Sequence, residues 1–241
     1  MFLLIDLYLI INLFTHIEFE KILEYLKDSP GVDPDDKIMI EIDLLPTLEI
    51  GWLNGWILLC LLYLIYGVFL MTFPKDVRAK LFYYDRSRWS KKQRAFYVIG
   101  RVSVLVYLVL IIFIPLKIGA NVFIPGIILF VHGLVGFIIA LSNFKNMPPN
   151  QPATKGLYRI SRHPQVLMLF ISGLGICIAI GSWLALFILI ISKFFGHFRT
   201  LAEEEACLEQ YGDSYHAYMK RVPRYFLIKT YLKEEENVKK Y

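Results

Sequence analysis

The feature that most constrains this chain is a set of long apolar stretches of the kind that cross a lipid bilayer. About 20 apolar residues span the hydrocarbon core as a helix, and residues 50–73 give 24 consecutive positions without a charge. Further apolar runs lie at residues 97–116, 122–144 and 166–198. With 56% hydrophobic and 20% charged residues, the composition excludes an ordinary soluble domain and a disordered chain.

The last apolar run is too long for one span and is interrupted at Gly181-Ser182. Serine is a favoured N-cap, so we predict two helices in a hairpin, the second running from Ser182 to about Gln210. At ~1.5 Å per residue this second helix is roughly 43 Å long and extends beyond a ~30 Å hydrocarbon core. No useful length of sequence alternates with the period of a strand. The predicted fold class is all-α, a polytopic membrane helical bundle with about five transmembrane helices and a C-terminal helical hairpin.

Loop charges predict the orientation of this bundle. Residues 74–96 hold eight Lys and Arg against two Asp, and residues 145–163 hold four basic residues and no acid. Residues 117–121, between the intervening helices, hold one lysine. Cytoplasmic loops carry the excess of basic residues, so the two basic loops should face the cytoplasm. The net charge of +5 is then explained by these loops, and we predict no nucleic-acid partner.

The same pattern divides the chain into three parts. Residues 1–49 contain eleven acids and three lysines, and we predict an acidic extracytoplasmic segment with a short apolar helix within residues 1–14. Residues 50–144 form three transmembrane helices. Residues 145–241 form a catalytic C-terminal region with the hairpin and a cytosolic tail, so its polar residues should lie at the cytoplasmic face.

Two polar clusters, residues 156–165 and 199–205, flank the hairpin and should meet at its mouth. Arg199 and Glu203 are spaced i, i+4 and share a helix face, which presents a cation and a carboxylate at the membrane surface. The alternative is a solvated intrahelical ion pair worth only ~0.3–0.5 kcal/mol. His163-Pro164 also has two explanations, a functional pair or a proline at the first position of a helix beside a basic flank.

The histidines do not predict a metal centre. The five of them show no ligand spacing, and we predict no metal. His132 stands alone in an apolar run, and we expect it to be a packed residue rather than a ligand.

The order of motifs from Gly156 to Arg224 is more specific than any single cluster. The chain reads GLYRISRHPQ, an apolar hairpin, R-x-x-x-E-E, Y-G, Y-x-x-Y and V-P-R. This order resembles the integral-membrane methyltransferases that include isoprenylcysteine carboxyl methyltransferase and the phospholipid N-methyltransferases. Each element alone is a weak signal, but five in order at matching spacing are a strong one.

Two positions depart from the family pattern. The family's tyrosine after H-P-x is Val166 here, and its glycine two residues further on is Met168. We expect the bulky Met168 to narrow the space between the hairpin helices. This departure bears on the identity of the substrate more than on cofactor binding.

The resemblance implies S-adenosylmethionine as the cofactor, in a cytosol-facing pocket without a Rossmann domain. It implies these cofactor-binding residues: Tyr158, Arg162, His163, Pro164, Glu203 and Glu204. The cofactor carries an ammonium, a carboxylate and a sulfonium, so it needs anions and cations close together, and either Arg162 or Arg199 can pair with its carboxylate. The candidate catalytic residues are His163, Arg199 and Glu203, with His163 or Glu203 as the base if the acceptor is an amine.

The resemblance implies methyl transfer to a lipid or lipid-modified acceptor. The R-x-x-x-E-E register and the V-P-R tail favour a prenylcysteine-type carboxylate, and a phospholipid amine is the alternative. Arg224 either holds an acceptor carboxylate or anchors headgroups. A sterol-reductase-like NADPH oxidoreductase and a non-catalytic membrane scaffold are hypotheses of other classes. Glu203-Glu204 and the R-H-P order favour the methyltransferase, because a nicotinamide phosphate site would hold more basic residues than carboxylates.

Overall fold

A computed structural model describes residues 46–75, 77–78, 89–148 and 151–225. The predictions for the apolar helix within residues 1–14, for most of the extracytoplasmic segment and for the tail beyond residue 225 lie outside the described residues.

The described residues confirm the all-α prediction, and no strand is found among them. A 3₁₀ turn at Gly156–Arg159 precedes the hairpin. The α-helices are α1 Trp56–Met71, α2 Lys91–Phe113, α3 Phe123–Lys145, α4 Pro164–Ala179, α5 Trp183–Tyr211 and α6 Asp213–Arg221.

The lengths of these helices fit a membrane bundle. Helices α2, α3 and α5 are long and apolar enough to cross a membrane, whereas α1 and α4 are shorter apolar helices of 16 residues each. Large apolar side chains such as Ile128, Phe187 and Phe194 are exposed on the outer faces of the spans. Exposed apolar faces of this extent are stable against lipid rather than water, so the helices are expected to be embedded in a bilayer.

The hairpin forms as predicted. Gly181 has a φ of +60°, in the left-handed region that favours glycine, and it turns the chain between α4 and α5. Ser182 then caps α5, because its hydroxyl oxygen accepts a hydrogen bond of 3.2 Å from the Ala185 N–H. Helix α5 continues without a break to Tyr211, so its last turns extend past the length of a bilayer core.

Small residues bring α3 and α4 into close contact. A Cβ added at Gly175 would overlap the backbone of Phe130, and one at Gly126 would overlap the backbone of Ala179. Such contacts let two backbones approach closely inside a membrane. The close packing fixes α4, and with it the polar sequence at its N-terminus, against the rest of the bundle.

Two sequence expectations about this pair are wrong. Met168 does not narrow the hairpin, because its sulfur lies against α3, where a Cβ at Gly136 would overlap it. His132 is not packed inside the bundle but exposed on the outer face of α3. Both errors arise because the sequence of one helix does not show which neighbour each of its faces meets.

We predict that Gly175→Ala destabilises the bundle. The new Cβ would lie 2.6 Å from the Phe130 Cα, and because backbone cannot give way as a side chain does, the helices must separate at a cost of about 1–3 kcal/mol. Thermal unfolding of the purified protein in detergent should show a lower Tm. In the matched control Gly67→Ala, the Cβ enters open space within α1, and the gain in helix propensity should leave Tm unchanged or higher. Equal Tm values for the two variants would contradict this packing.

Candidate active site

The centre of the candidate site is the buried carboxylate of Glu204, which is only 3% exposed. Its Oε1 lies 3.0 Å from Arg162 Nε and 3.1 Å from His163 Nε2. Its Oε2 accepts two hydrogen bonds from Arg224, at 2.9 Å from Nε and 2.7 Å from Nη2. A buried charge needs such partners, and Glu204 thereby connects three segments of the chain.

The local sequence explains how these partners meet. Pro164 occupies the first position of α4, where a missing N–H costs nothing, and so His163 and Arg162 lie at the hairpin mouth. Glu204 is on the part of α5 that returns past this mouth. Pro164 is therefore a proline at the first position of a helix, as one of the two explanations held. This position also places His163 in the site.

The V-P-R segment closes the site from the other side. The Arg162 N–H donates to the Pro223 carbonyl at 2.9 Å, and the Ser161 hydroxyl donates to the Arg224 carbonyl at 3.0 Å. Arg162 Nη1 also donates to the Met219 carbonyl at 3.3 Å. These bonds hold Arg224 against Glu204, so within the described residues Arg224 is neither a free headgroup anchor nor a free cation.

Tyr158 is part of the wall beside this network. Its phenol is buried and accepts a hydrogen bond of 2.9 Å from Gln165 Nε2, while its carbonyl accepts one of 2.7 Å from the Tyr218 hydroxyl. Burial raises the pKa of both Tyr158 and Tyr218 well above the usual range, because the phenolate would be poorly solvated. Both hydroxyls are therefore protonated at neutral pH and act as hydrogen-bond groups rather than as bases.

Glu203 is the more accessible carboxylate. Its Oε1 accepts a hydrogen bond of 2.8 Å from Arg199 Nε, and the two side chains are 27% and 41% exposed. The i, i+4 ion pair that the sequence left as the alternative explanation is thus present. Glu203 Oε2 is also 3.8 Å from His163 Nδ1, so the imidazole lies between the two glutamates.

Buried donors near this point lack partners within the described residues. Arg162 Nη2 has no hydrogen-bond acceptor, and Arg162 Nε is 3.0 Å from Glu204 without its N–H pointing at the oxygen, which makes that contact an ion pair rather than a hydrogen bond. The Asn143 amide nitrogen is also buried without an acceptor. Unsatisfied buried donors are costly, and they are suited to bind an anionic group of a ligand.

The structure brings the predicted site residues to one place, although it leaves their roles open to test. Sequence reasoning missed Tyr218 and Gln165 as supports of Tyr158. It also missed Tyr225, whose ring centre is 6.4 Å from that of His163, and Lys193, whose Nζ lies over the Tyr225 ring. The signal for Lys193 was present as a charge within an apolar run. Among the described residues, no group of three or more His, Cys, Asp or Glu side chains can hold a metal ion.

Comparison with known proteins shows what the region around this site is similar to. Residues 118–214 match the family model described as phospholipid methyltransferase. The family resemblance that the motifs predicted is confirmed by this match, and the match contains all the predicted site residues.

Part of the chain is also similar to a methyltransferase from a yeast. The chain is 39% identical over 72 residues to the protein-S-isoprenylcysteine O-methyltransferase of Schizosaccharomyces pombe (strain 972 / ATCC 24843). The aligned part covers 29% of this chain and 30% of the relative, so the chain spans about a third of the relative it matches. No solved structure matches the chain.

We predict that Glu204→Gln destabilises the hairpin mouth. The substitution leaves buried cations without a counter-charge, and breaking a buried ion pair from one side costs about 3–5 kcal/mol. Tm in detergent should fall, and limited proteolysis should cut the chain after α5 at lower protease concentration. Glu205→Gln is the matched control, because Glu205 is the adjacent glutamate and is exposed. A Glu204→Gln protein as stable as the control would contradict the proposed role of the network.

Proposed function

We propose that this protein is an integral-membrane methyltransferase that uses S-adenosylmethionine to methylate a lipid or lipid-modified acceptor. The observation that carries the proposal is the gathering of Arg162, His163, Arg199, Glu203 and Glu204 at the mouth of one hairpin, inside a region that matches the phospholipid methyltransferase family. These matches favour a methyltransferase over a nicotinamide-dependent reductase or a scaffold.

The side chains fit the proposed cofactor. Glu203 is partly exposed and can accept from an ammonium or a ribose hydroxyl. Arg162, with a buried Nη2 that has no acceptor among the described residues, can bind a carboxylate. Tyr158 and Pro164, both buried, form part of the wall that excludes water. When bound, S-adenosylmethionine supplies a methyl group on a sulfonium, which an acceptor oxygen or nitrogen displaces.

Glu204 supports this site without contacting the ligand directly. Its carboxylate is already paired with Arg162, His163 and Arg224, so it orients Arg162 and His163 rather than binding the cofactor itself. We therefore assign the cofactor's ammonium or ribose to Glu203 and treat Glu204 as a positioning residue. This refines the prediction that both glutamates supply a carboxylate to the cofactor.

The charge of the site favours a carboxylate acceptor. Arg162, Arg199 and Arg224 outnumber Glu203 and Glu204, so an anionic acceptor balances the site better than an amine. A carboxylate needs no general base, and orientation together with exclusion of water then provide most of the rate. The relative from Schizosaccharomyces pombe is named for methylation of isoprenylcysteine, which supports a prenylcysteine-type acceptor here.

A phospholipid amine is the second candidate, favoured by the description of the matching family. An amine must lose a proton, and His163 is the group to take it. Its Nδ1 lies 3.8 Å from Glu203 Oε2, while its Nε2 is held by Glu204. An amine acceptor thus requires His163 as a base, whereas a carboxylate acceptor does not.

We predict that the purified protein transfers labelled methyl from S-adenosylmethionine to N-acetyl-farnesylcysteine and not to phosphatidylethanolamine. Glu203→Gln should weaken S-adenosylmethionine binding by roughly ten- to a hundredfold, the loss expected for one charge-assisted contact, in a calorimetric titration. Glu205→Gln is again the control and should bind like the unmodified protein.

The outcomes separate the candidates. Methylation of phosphatidylethanolamine alone would move the assignment to the second candidate and make His163→Ala inactive. Absence of S-adenosylmethionine binding in a folded protein would refute the methyltransferase proposal. Equal binding by the Glu203→Gln and Glu205→Gln proteins would refute the assignment of Glu203.

We also propose that the site faces the cytoplasm, because the hairpin mouth adjoins the basic loop at residues 145–163. Single cysteines at Lys155 and Asn121, in a protein without Cys60, Cys177 and Cys207, should label from opposite sides of the membrane. Both positions are exposed. We expect the cysteine at position 155 to react with a membrane-impermeant thiol reagent only after the membrane has been permeabilised. Labelling of both from one side would contradict the orientation.

A further inference from the structure

Lys193 is a cation in the middle of a membrane-spanning helix. It is the eleventh residue of α5, which at ~1.5 Å per residue places its Cα roughly 15 Å along a helix that must cross a ~30 Å core. Charged residues at such depth are rare and costly, and they usually mark a functional site. Nothing in the proposed cofactor site accounts for Lys193.

Its surroundings form an aromatic cage without an anion. Lys193 Nζ lies 4.6 Å from the centre of the Tyr225 ring and 5.6 Å from that of Phe170. It also donates to the Val166 carbonyl at 3.4 Å, a long hydrogen bond. Ring faces attract a cation but do not neutralise it, and no carboxylate within the described residues pairs with this ammonium.

The neighbouring carboxylates are already engaged. Glu204 is paired with Arg162, His163 and Arg224, and Glu203 with Arg199. Among the residues that the structure describes, Lys193 therefore has no carboxylate to balance its charge. A bound anion would supply the missing counter-charge.

Tyr225 connects this cage to the candidate active site. Its ring centre is 6.4 Å from that of His163, and its hydroxyl is 3.2 Å from His197 Nδ1. The cage also includes Val166, the position where the family pattern has a tyrosine. Val166, one of the two positions that differ from the family pattern, is thus the residue whose carbonyl Lys193 contacts from α5.

We propose that Lys193 is a specificity-determining residue that binds the head-group carboxylate of the amphiphilic acceptor. This inference rests on the proposed function and names the acceptor contact within it. The contacts of the Lys193 ammonium with the Tyr225 ring and the Val166 carbonyl, near the start of α4, place it on the side of the hairpin mouth. An acceptor whose tail lies in the bilayer presents its carboxylate on that side. The methyl ester carries no charge, so the same contact distinguishes substrate from product and favours product release.

The test compares the acid with its ester. Full-length protein in detergent is titrated with N-acetyl-farnesylcysteine and with its methyl ester, and S-adenosylmethionine binding is measured in parallel. Lys193→Met keeps most of the apolar length of the side chain but removes the ammonium and its charge. We expect it to weaken binding of the acid by roughly ten- to a hundredfold, while binding of the ester and of S-adenosylmethionine stays the same.

Two further variants act as controls. Lys193→Arg retains the cation and should recover most of the binding of the acid. Lys92→Met removes another lysine that lies over an aromatic ring, 5.5 Å from the centre of Phe96, but at an exposed position on α2. It should bind the acid like the unmodified protein. In turnover assays, Lys193→Met should raise KM for the acid more than it lowers kcat.

Several results would overturn the proposal. Unchanged binding of the acid in Lys193→Met, or an equal loss for acid and ester, would show that Lys193 only holds Tyr225 in place. Preference of the unmodified protein for phosphatidylethanolamine would also reject a carboxylate contact. Failure of the proposed function would give a different result, namely no S-adenosylmethionine binding by the unmodified protein. Binding of the acid that depends on Lys193 could still be observed in that case.

Discussion

The rest of the site depends on one buried carboxylate. Glu204 is 3% exposed and is held by Arg162, His163 and Arg224, which come from the start of α4 and from the segment after α6. A buried anion is stable only with such partners, so the network requires the hairpin mouth and the V-P-R segment to assemble together. The cofactor and acceptor positions that we propose exist only when this assembly is complete.

Adjacent glutamates have different surroundings because they point in different directions. Successive residues on a helix are about 100° apart, so Glu204 turns into the network while Glu203 remains partly exposed beside Arg199. Both are carboxylates in one motif, yet of the two only Glu203 is partly exposed. The positioning and binding roles that we propose for them are thus separated by a single step along α5, with His163 between the two carboxylates.

Close packing of α3 and α4 provides the rigid base for this arrangement. Gly126 and Gly175 let the two backbones touch, and Gly136 accommodates the sulfur of Met168. The large residue that departs from the family pattern therefore has a small residue opposite it on α3. On the other side of α4, Lys193 of α5 reaches the main-chain carbonyl of Val166, the neighbouring departure.

The sequence by itself determined the helices, the break before Ser182 and the extension of α5, because apolar length and capping are local properties. It also indicated the resemblance to the integral-membrane methyltransferases, through the order of motifs from Gly156 onward. Only the tertiary structure decided which faces meet: it paired Arg224 with Glu204, turned Met168 towards α3 and left His132 outside the bundle. These outcomes depend on contacts between residues far apart in the chain, and the periodicity of a single helix carries no information about its neighbours.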